Sequence, residues 1–243
     1  MIPSLVKDGR LDTVKPLGNS IIHPDATGNN DGTDGSTPAE GNFTFSRGSN
    51  LAATRVDVNG LIEKGRENVL LQSNQFDTTW ASYATTETGG QSGYDGTSNA
   101  WLLDKSAASG NVYQDVSISG VNIYSVYVKG GTNTWVALLV AGPNAGKFFN
   151  LSGFGAVGSN FVNAPVGASI ESIGSGWFRI SIITNASVTQ VRIYPAEGDG
   201  INSGTSGNIY IQDAQLEQGL VATDYIETGC LLYTSPSPRD LST

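Results

Sequence analysis

Cysteine, histidine and methionine each occur once in 243 residues. A single cysteine excludes an internal disulfide framework, and one cysteine with one histidine leaves no ligand set for zinc. His23 is the sole histidine and stands in a Pro- and Gly-rich stretch, so a Ser-His-Asp triad is not expected. Charge is also sparse. Charged residues are 14% of the chain, and 13 Lys and Arg against 22 Asp and Glu leave a formal charge of −9. Phosphate neutralisation needs clustered cations, which excludes non-specific nucleic-acid or anionic-membrane binding. No apolar run is long enough to span a bilayer. The opening MIPSLVK has neither the basic n-region nor the apolar h-region of a signal peptide. No stretch combines a helical period with caps, and no repeat recurs at a fixed period.

What fills the chain instead is glycine, 31 residues of it, with Ser, Thr and Asn around a modest 38% hydrophobic content. That profile fits a β protein with many turns and polar outer faces. Residues 1–41 read as an arm, disordered or used in assembly, because four prolines and GNNDGTDGS leave little apolar surface to order it. The stretch NDGTDG within it lacks the twelfth-position Glu and the flanking helices of an EF-hand. Residues 42–66 read as a β-hairpin lead-in: 42–47 alternate with period two, and Asn59-Gly60 is a hairpin turn between 54–58 and 61–64. Arg55 and Glu63 are placed to face each other across it.

Residues 67–229 carry the expected antiparallel β-sandwich, all-β and of the jelly-roll kind. Its first core strand is expected at 68–72, followed by a turn at Ser73-Asn74-Gln75 and by Phe76 and Trp80 as apolar anchors. Residues 82–97 read as a polar loop. Further strands are expected at 99–105, 111–118, 122–129, 134–140, 147–151, 168–173, 176–184, 188–194 and 208–216. The segment 134–140 is apolar throughout. It suits a central strand covered on both faces, although a buried helix has the same pattern.

Chemistry is harder to find. Acids such as Asp115, Glu197 and Asp213 sit in no marked pairing for glycosidase work. The AGPNAGK stretch fails as a phosphate loop because Phe148 follows the lysine. The chain is therefore not expected to be an enzyme or to carry a cofactor. Strand alternation does suggest a binding face. Phe178, Ile180 and Ile182 point inward, leaving Trp177, Arg179 and Ser181 outward. Val191 and Ile193 point inward, leaving Gln190, Arg192 and Tyr194 outward. Tyr113 and Asp115 share one face of their strand, as do Ser125 and Tyr127. If these faces coincide, Tyr127, Trp177, Arg179, Arg192 and Tyr194 form a polar-aromatic surface suited to sugars. The plainer alternative is that they decorate a solvated sheet, or that Trp177 caps the core edge.

The series FTFSRGSNLAATRVDVNGLIEKGRENVLLQSNQFDTTW, SVYVKGGTNTW, FFNLSGFGAVGS, IGSGWFRISI, VRIYPAEGDG and GNIYIQDAQLEQGLVATDYIET resembles, in order, a module of tailed-phage virion structural proteins of the tail-fibre type, seen in marine and metagenomic phages. The same module is similar to galactose-binding-like carbohydrate-binding modules. The resemblance implies a virion location, a host cell-surface polysaccharide as ligand, other tail proteins as partners and a homo-oligomer such as a trimer. It implies that the opening strand neighbours the closing one around Asp213. In such modules this junction often holds a calcium ion. Here Asp77 replaces the opening Glu and is shorter, so no metal is assigned. The alternatives are a carbohydrate-binding module of a secreted polysaccharide-degrading enzyme and a ligand-free spacer. Residues 230–240, CLLYTSPSPRD, resemble a translated sequencing adapter, so 230–243 is expected to be non-native.

Overall fold

The computed structural model describes residues 67–229 together with four short strands before them. The chain divides into two units, 1–49 and 50–243. In the first, β1 (Val6–Lys7) pairs with β2 (Arg10–Leu11). In the second, β3 (Arg55–Val56) pairs with β4 (Ile62–Glu63), Arg55 opposite Glu63, which is the backbone pairing expected across Asn59-Gly60. The rest of the arm, the strand expected at 42–47, the NDGTDG stretch and the tail at 230–243 lie outside the described residues.

Twelve strands build the sandwich: β5 (Ala81–Tyr83), β6 (Thr85–Gln91), β7 (Ala100–Lys105), β8 (Asn111–Ile118), β9 (Asn122–Gly130), β10 (Trp135–Ala141), β11 (Ala145–Asn150), β12 (Ala156–Asn160), β13 (Gly167–Gly174), β14 (Trp177–Thr184), β15 (Val188–Ala196) and β16 (Gly207–Gln218). They form two six-stranded antiparallel sheets, in the orders β12-β11-β10-β15-β8-β5 and β13-β14-β9-β16-β7-β6. The chain passes repeatedly from one sheet to the other, for example β8 to β9 to β10 and β14 to β15 to β16, which gives the jelly roll. No helix occurs among the described residues.

The inner faces meet as the alternation predicts. Val112, Val136, Leu138, Val191 and Ile193 of the first sheet pack with Leu103, Tyr124, Val126, Phe178, Ile180, Ile182, Ile209 and Ile211 of the second. β10 is a strand covered on both faces. Val136, Leu138 and Val140 join the main core, while Ala137 and Leu139 lie in a second cluster with Phe148, Tyr194 and Phe161 on the outer side. Phe161 reaches that position because its chain runs along β11 at Gly146, hydrogen-bonded through Phe161 N to Gly146 O at 2.9 Å. A Cβ on Gly146 would stand 2.5 Å from Leu138 O and 3.0 Å from the Phe161 Cβ.

Two expectations are corrected. Residues 82–97 are not one loop: β5 and β6 occupy most of them. β6 is the sheet edge, reads TTETGGQ and never goes below partial exposure, so it lacks the apolar face that marks a strand. Residues 68–72 are not a strand either. They run through bends and turns, with Gln72 at φ 45°. The anchors and the neighbour were nonetheless legible, since Leu70, Phe76 and Trp80 are buried and the stretch does lie against β16. Strand β7 covers β16 only from Gly207 to Ile211. Beyond that the edge is free, and β16 carries a bulge at Asp213, with one extra residue between the Gln212–Tyr127 and Gln215–Ser125 pairs. Irregular chain satisfies this edge better than a regular ladder. Val69 N donates to Leu216 O at 2.8 Å, and Ala214 N to Ser73 O at 3.1 Å. Side chains take the remaining positions: the Asn68 amide accepts from Leu216 N at 3.0 Å and donates to Ala214 O at 3.0 Å, while Asn74 Oδ1 accepts from Asp213 N at 3.1 Å.

Candidate functional site

The five predicted sugar-binding residues do not share one face. Tyr127 (β9), Trp177 and Arg179 (both β14) lie on the outer face of the second sheet. Arg192 and Tyr194 (both β15) lie on the outer face of the first, on the opposite side of the sandwich.

The outer face of the second sheet is covered. Trp177 is 1% exposed and Tyr127 9%. The segment after β6 lays Tyr94 flat on Tyr127, with ring centroids 4.0 Å apart and planes 12° apart, and sets it edge-on to Trp177 at 6.2 Å. The segment after β16 closes the rest. The Glu217 carboxylate accepts from Thr223 N and from Thr223 Oγ1, both at 2.8 Å, and Gln215 Oε1 accepts from Ile226 N at 2.7 Å. Arg179 lies over Tyr127 with its Cζ 5.2 Å from the ring centroid, and its Nη2 donates to Thr223 O. The outward direction read from the alternation is right. What the alternation does not contain is that two later segments return over this face.

Under that cover Asp213 is 6% exposed and accepts from Tyr94 Oη at 2.8 Å. Burial pushes its carboxyl up to about 6, against the lowering effect of the Tyr94 hydrogen bond, and the charges of Asp95 and Glu227 add to the rise. Burial and the same carboxylate push the Tyr94 phenol well above its usual range. Asp77 is exposed on the opening turn. A carboxyl raised in the folded state binds its proton more tightly there than when unfolded. The contribution of this carboxyl to stability is then highest below the unfolded value near 4, falls as pH rises to about 6, and is flat above. Asp213→Asn keeps an acceptor for Tyr94 and removes this slope. At pH 8 the variant is expected to be more stable than the parent by up to about 3 kcal/mol, and at pH 4 to be little different. Urea titrations of both proteins at the two pH values measure it; a difference between variant and parent that does not change from pH 4 to pH 8 contradicts the assignment.

The outer face of the first sheet is half covered and half open. Phe161 seals its β10–β11 side, 5.1 Å from Phe148 and 4.9 Å from Tyr194. Towards β8 and β5 the face opens into a groove of about 340 Å³ lined by Tyr83, Ser109, Asn111, Tyr113, Gln190, Arg192 and Tyr194. Pairing fixes these positions. Tyr113 stands opposite Arg192 and Asp115 opposite Gln190 across β8 and β15, while Tyr83 stands opposite Asn111 across β5 and β8. The Arg192 Cζ is 5.9 Å from the Tyr113 ring centroid. Gln190 is held from both ends, its Nε2 donating to Asp115 Oδ1 at 2.7 Å and its Oε1 accepting from Arg192 Nε. Arg192 Nη1 donates to Tyr194 Oη at 3.2 Å. Tyr83 is 57% exposed, whereas Tyr194 is almost buried and offers mainly its hydroxyl.

Such a groove offers aromatic faces for the apolar side of a pyranose ring, beside planar amide and guanidinium groups for its hydroxyls. Arg192 and Tyr194 are the two predicted residues that belong to it. Alternation places Gln190 outward and Tyr113 on one strand face with Asp115, without joining either to it. Tyr83 and Asn111 were missed. Tyr83 lies inside the stretch read as loop and closes a three-residue strand, and only the pairing of β5 with β8 brings it here.

No protein-family model matches the sequence, and no curated protein matches it. Among solved structures the chain is similar to the N-terminal CBM22-1–GH10 modules of a Clostridium thermocellum endo-1,4-beta-D-xylanase complexed with xylohexaose, at 15% identity and a TM-score of 0.38, covering 63% of this chain and 29% of that one. It is similar to TmCBM61 in complex with beta-1,4-galactotriose, at 14% identity and a TM-score of 0.36, covering 63% of this chain and 99% of that one. It is also similar to the enzymatically active domain of Bacteriophage CBA120 tailspike protein 4, at 14% identity and a TM-score of 0.36, covering 63% of this chain and 21% of that one. At TM-scores below 0.5 such likenesses do not establish a shared site.

Proposed function

We propose that this chain is a glycan-binding structural protein of a phage virion, a tail-fibre or tail-associated component that presents its jelly roll to a host-surface polysaccharide. The groove on the first sheet carries the binding part of the reading: Tyr83 and Tyr113 open to solvent, with Asn111, Gln190 and Arg192 beside them. The ordered run of segments that resembles phage tail proteins supports the virion part. In this reading the protein binds its glycan without cleaving it, and assembles as a homo-oligomer with other tail proteins. A single groove of this size binds weakly, and grouping of subunits makes attachment avid.

The test is a glycan array probed with the full chain, clustered on beads, alongside Tyr113→Ala. The parent is expected to bind a defined set of polysaccharides. Tyr113→Ala is expected to weaken that binding at least about tenfold, the loss of one aromatic platform, with unfolding little changed because Tyr113 is part-exposed. No binding by a folded, clustered parent removes the proposal in favour of a spacer. The same groove would also serve a module of a polysaccharide-degrading enzyme. Genes flanking the reading frame separate the two, tail and capsid genes in one case and glycosidase domains in the other.

A further inference from the structure

We propose that the saccharide taken by this groove bears an anionic group, a carboxylate or a sulfate, and that Arg192 seats it. The inference rests on the groove being the glycan site. Among the described residues that line it, Arg192 is the one cation and none is a carboxylate. The nearest acid across the strand pair, Asp115, is already engaged by Gln190 Nε2 at 2.7 Å.

The arrangement of the guanidinium matters more than its charge. Gln190, pinned by Asp115, accepts from Nε, and Tyr194 Oη accepts from Nη1 at 3.2 Å. All three contacts of Arg192, these two and the Tyr113 ring, are with neutral groups. They hold the plane of the fork and leave donors on Nη1 and Nη2 without a described acceptor. Two parallel N–H donors in a fixed plane match the two oxygens of a carboxylate or sulfate.

Two other cations of the sandwich show the contrast. Lys105 meets Glu197 at 2.7 Å. Arg179 is roofed over and donates through Nη2 to Thr223 O. Arg192 alone among these three has an ordered hydrogen-bonding edge facing open space. In a chain of net charge −9, general attraction does not draw a polyanion, so recognition of an acidic sugar has to be local.

The experiment is isothermal titration of the full chain with matched pairs: oligogalacturonate against its methyl ester for the carboxylate arm, and dextran sulfate against dextran for the sulfate arm. One acidic member is expected to bind about tenfold to a hundredfold tighter than its neutral partner, the effect of one charge-assisted pair, and to weaken as salt rises. Arg192→Gln is expected to bring that ratio near one, and Arg192→Lys to restore it only in part because the fork is lost. A preference that survives Arg192→Gln overturns the assignment to Arg192. Equal affinity for acidic and neutral members overturns the inference while the groove reading stands. If no saccharide of either kind binds the folded chain, here or on the array, the groove reading falls and the inference with it.

Discussion

Trp177→Ala is expected to lose about 3–5 kcal/mol of stability, the cost of removing a large aromatic from a packed site. It is expected to leave glycan binding at the groove intact wherever the variant is folded. The sequence leaves two readings of this residue, a ring offered to a sugar on an open face and a cap on the core edge. Its surroundings favour the second. Trp177 is 1% exposed, shares its cluster with Ala100 and Tyr127, meets the edge of Tyr94 at 6.2 Å, and Tyr225 packs against the same cluster. Truncation leaves a void beneath two covering segments that hydrogen bonds, not a strand ladder, hold in place. A urea titration is expected to move to a lower midpoint with the slope little changed. The groove lies on the other sheet, so stability and binding separate in this variant. A loss of binding with an unchanged midpoint would show that the cover opens and that this face is the site.

The same pair of faces marks how far the sequence could be read. Alternation in WFRISI and QVRIY gives each side chain's direction correctly, because a strand has only two sides, and it breaks just before them at Thr189, which is exposed beside the core residue Val188 where the β8–β15 register shifts. The apolar run TWVALLV suits a strand covered on both sides or a buried helix, and β10 is the first of these. Alternation does not say which strands belong to which sheet. β14 and β15 are consecutive and still lie in opposite sheets, so Arg179 and Arg192 look like neighbours in sequence and are not. Nor does it say what returns over an outer face. Gln212, Gln215 and Glu217 are polar positions of the strand YIQDAQLEQ, yet each is 1% exposed. They are polar because they hold the segments that cover them: Gln212 Oε1 accepts from Tyr94 N at 3.2 Å, while Gln215 and Glu217 bind residues 223–226. A polar residue in a strand marks either water or a polar cover, and composition alone does not separate them. The opening stretch fails for a related reason. Its Val and Leu residues suggest a strand, but the bulge at Asp213 offers partners at spacings that Asn68 and Asn74 side chains meet and a ladder does not.

Glu197→Ala is expected to cost about 3–5 kcal/mol, the range for stripping a buried cation of its counter-ion. Lys105 is on the core-facing side of β7, two residues beyond Leu103, and its side chain is 0% exposed. Its ammonium donates to Glu197 Oε1 at 2.7 Å, Asn202 O at 2.9 Å and Pro195 O at 3.3 Å. The second carboxylate oxygen of Glu197 accepts from Gly204 N at 3.1 Å. The pair therefore ties β7 of one sheet to the end of β15 in the other and also fixes the connection to β16. Without Glu197, two carbonyls remain to solvate a full charge at the end of the core, and the Gly204 N–H loses its acceptor. The destabilisation is expected to come mainly from the stranded ammonium and not from the lost attraction, since a buried pair roughly balances its own desolvation. That distinction is measurable. Lys105→Met with Glu197→Leu removes both charges and fills the space, and is expected to recover most of the loss and stand closer to the parent than Glu197→Ala does. A double-mutant cycle with Lys105→Met gives the coupling directly. A double variant no more stable than Glu197→Ala would mean that the carboxylate acts chiefly through Gly204 and the connection to β16, with the charge of Lys105 satisfied by the carbonyls alone.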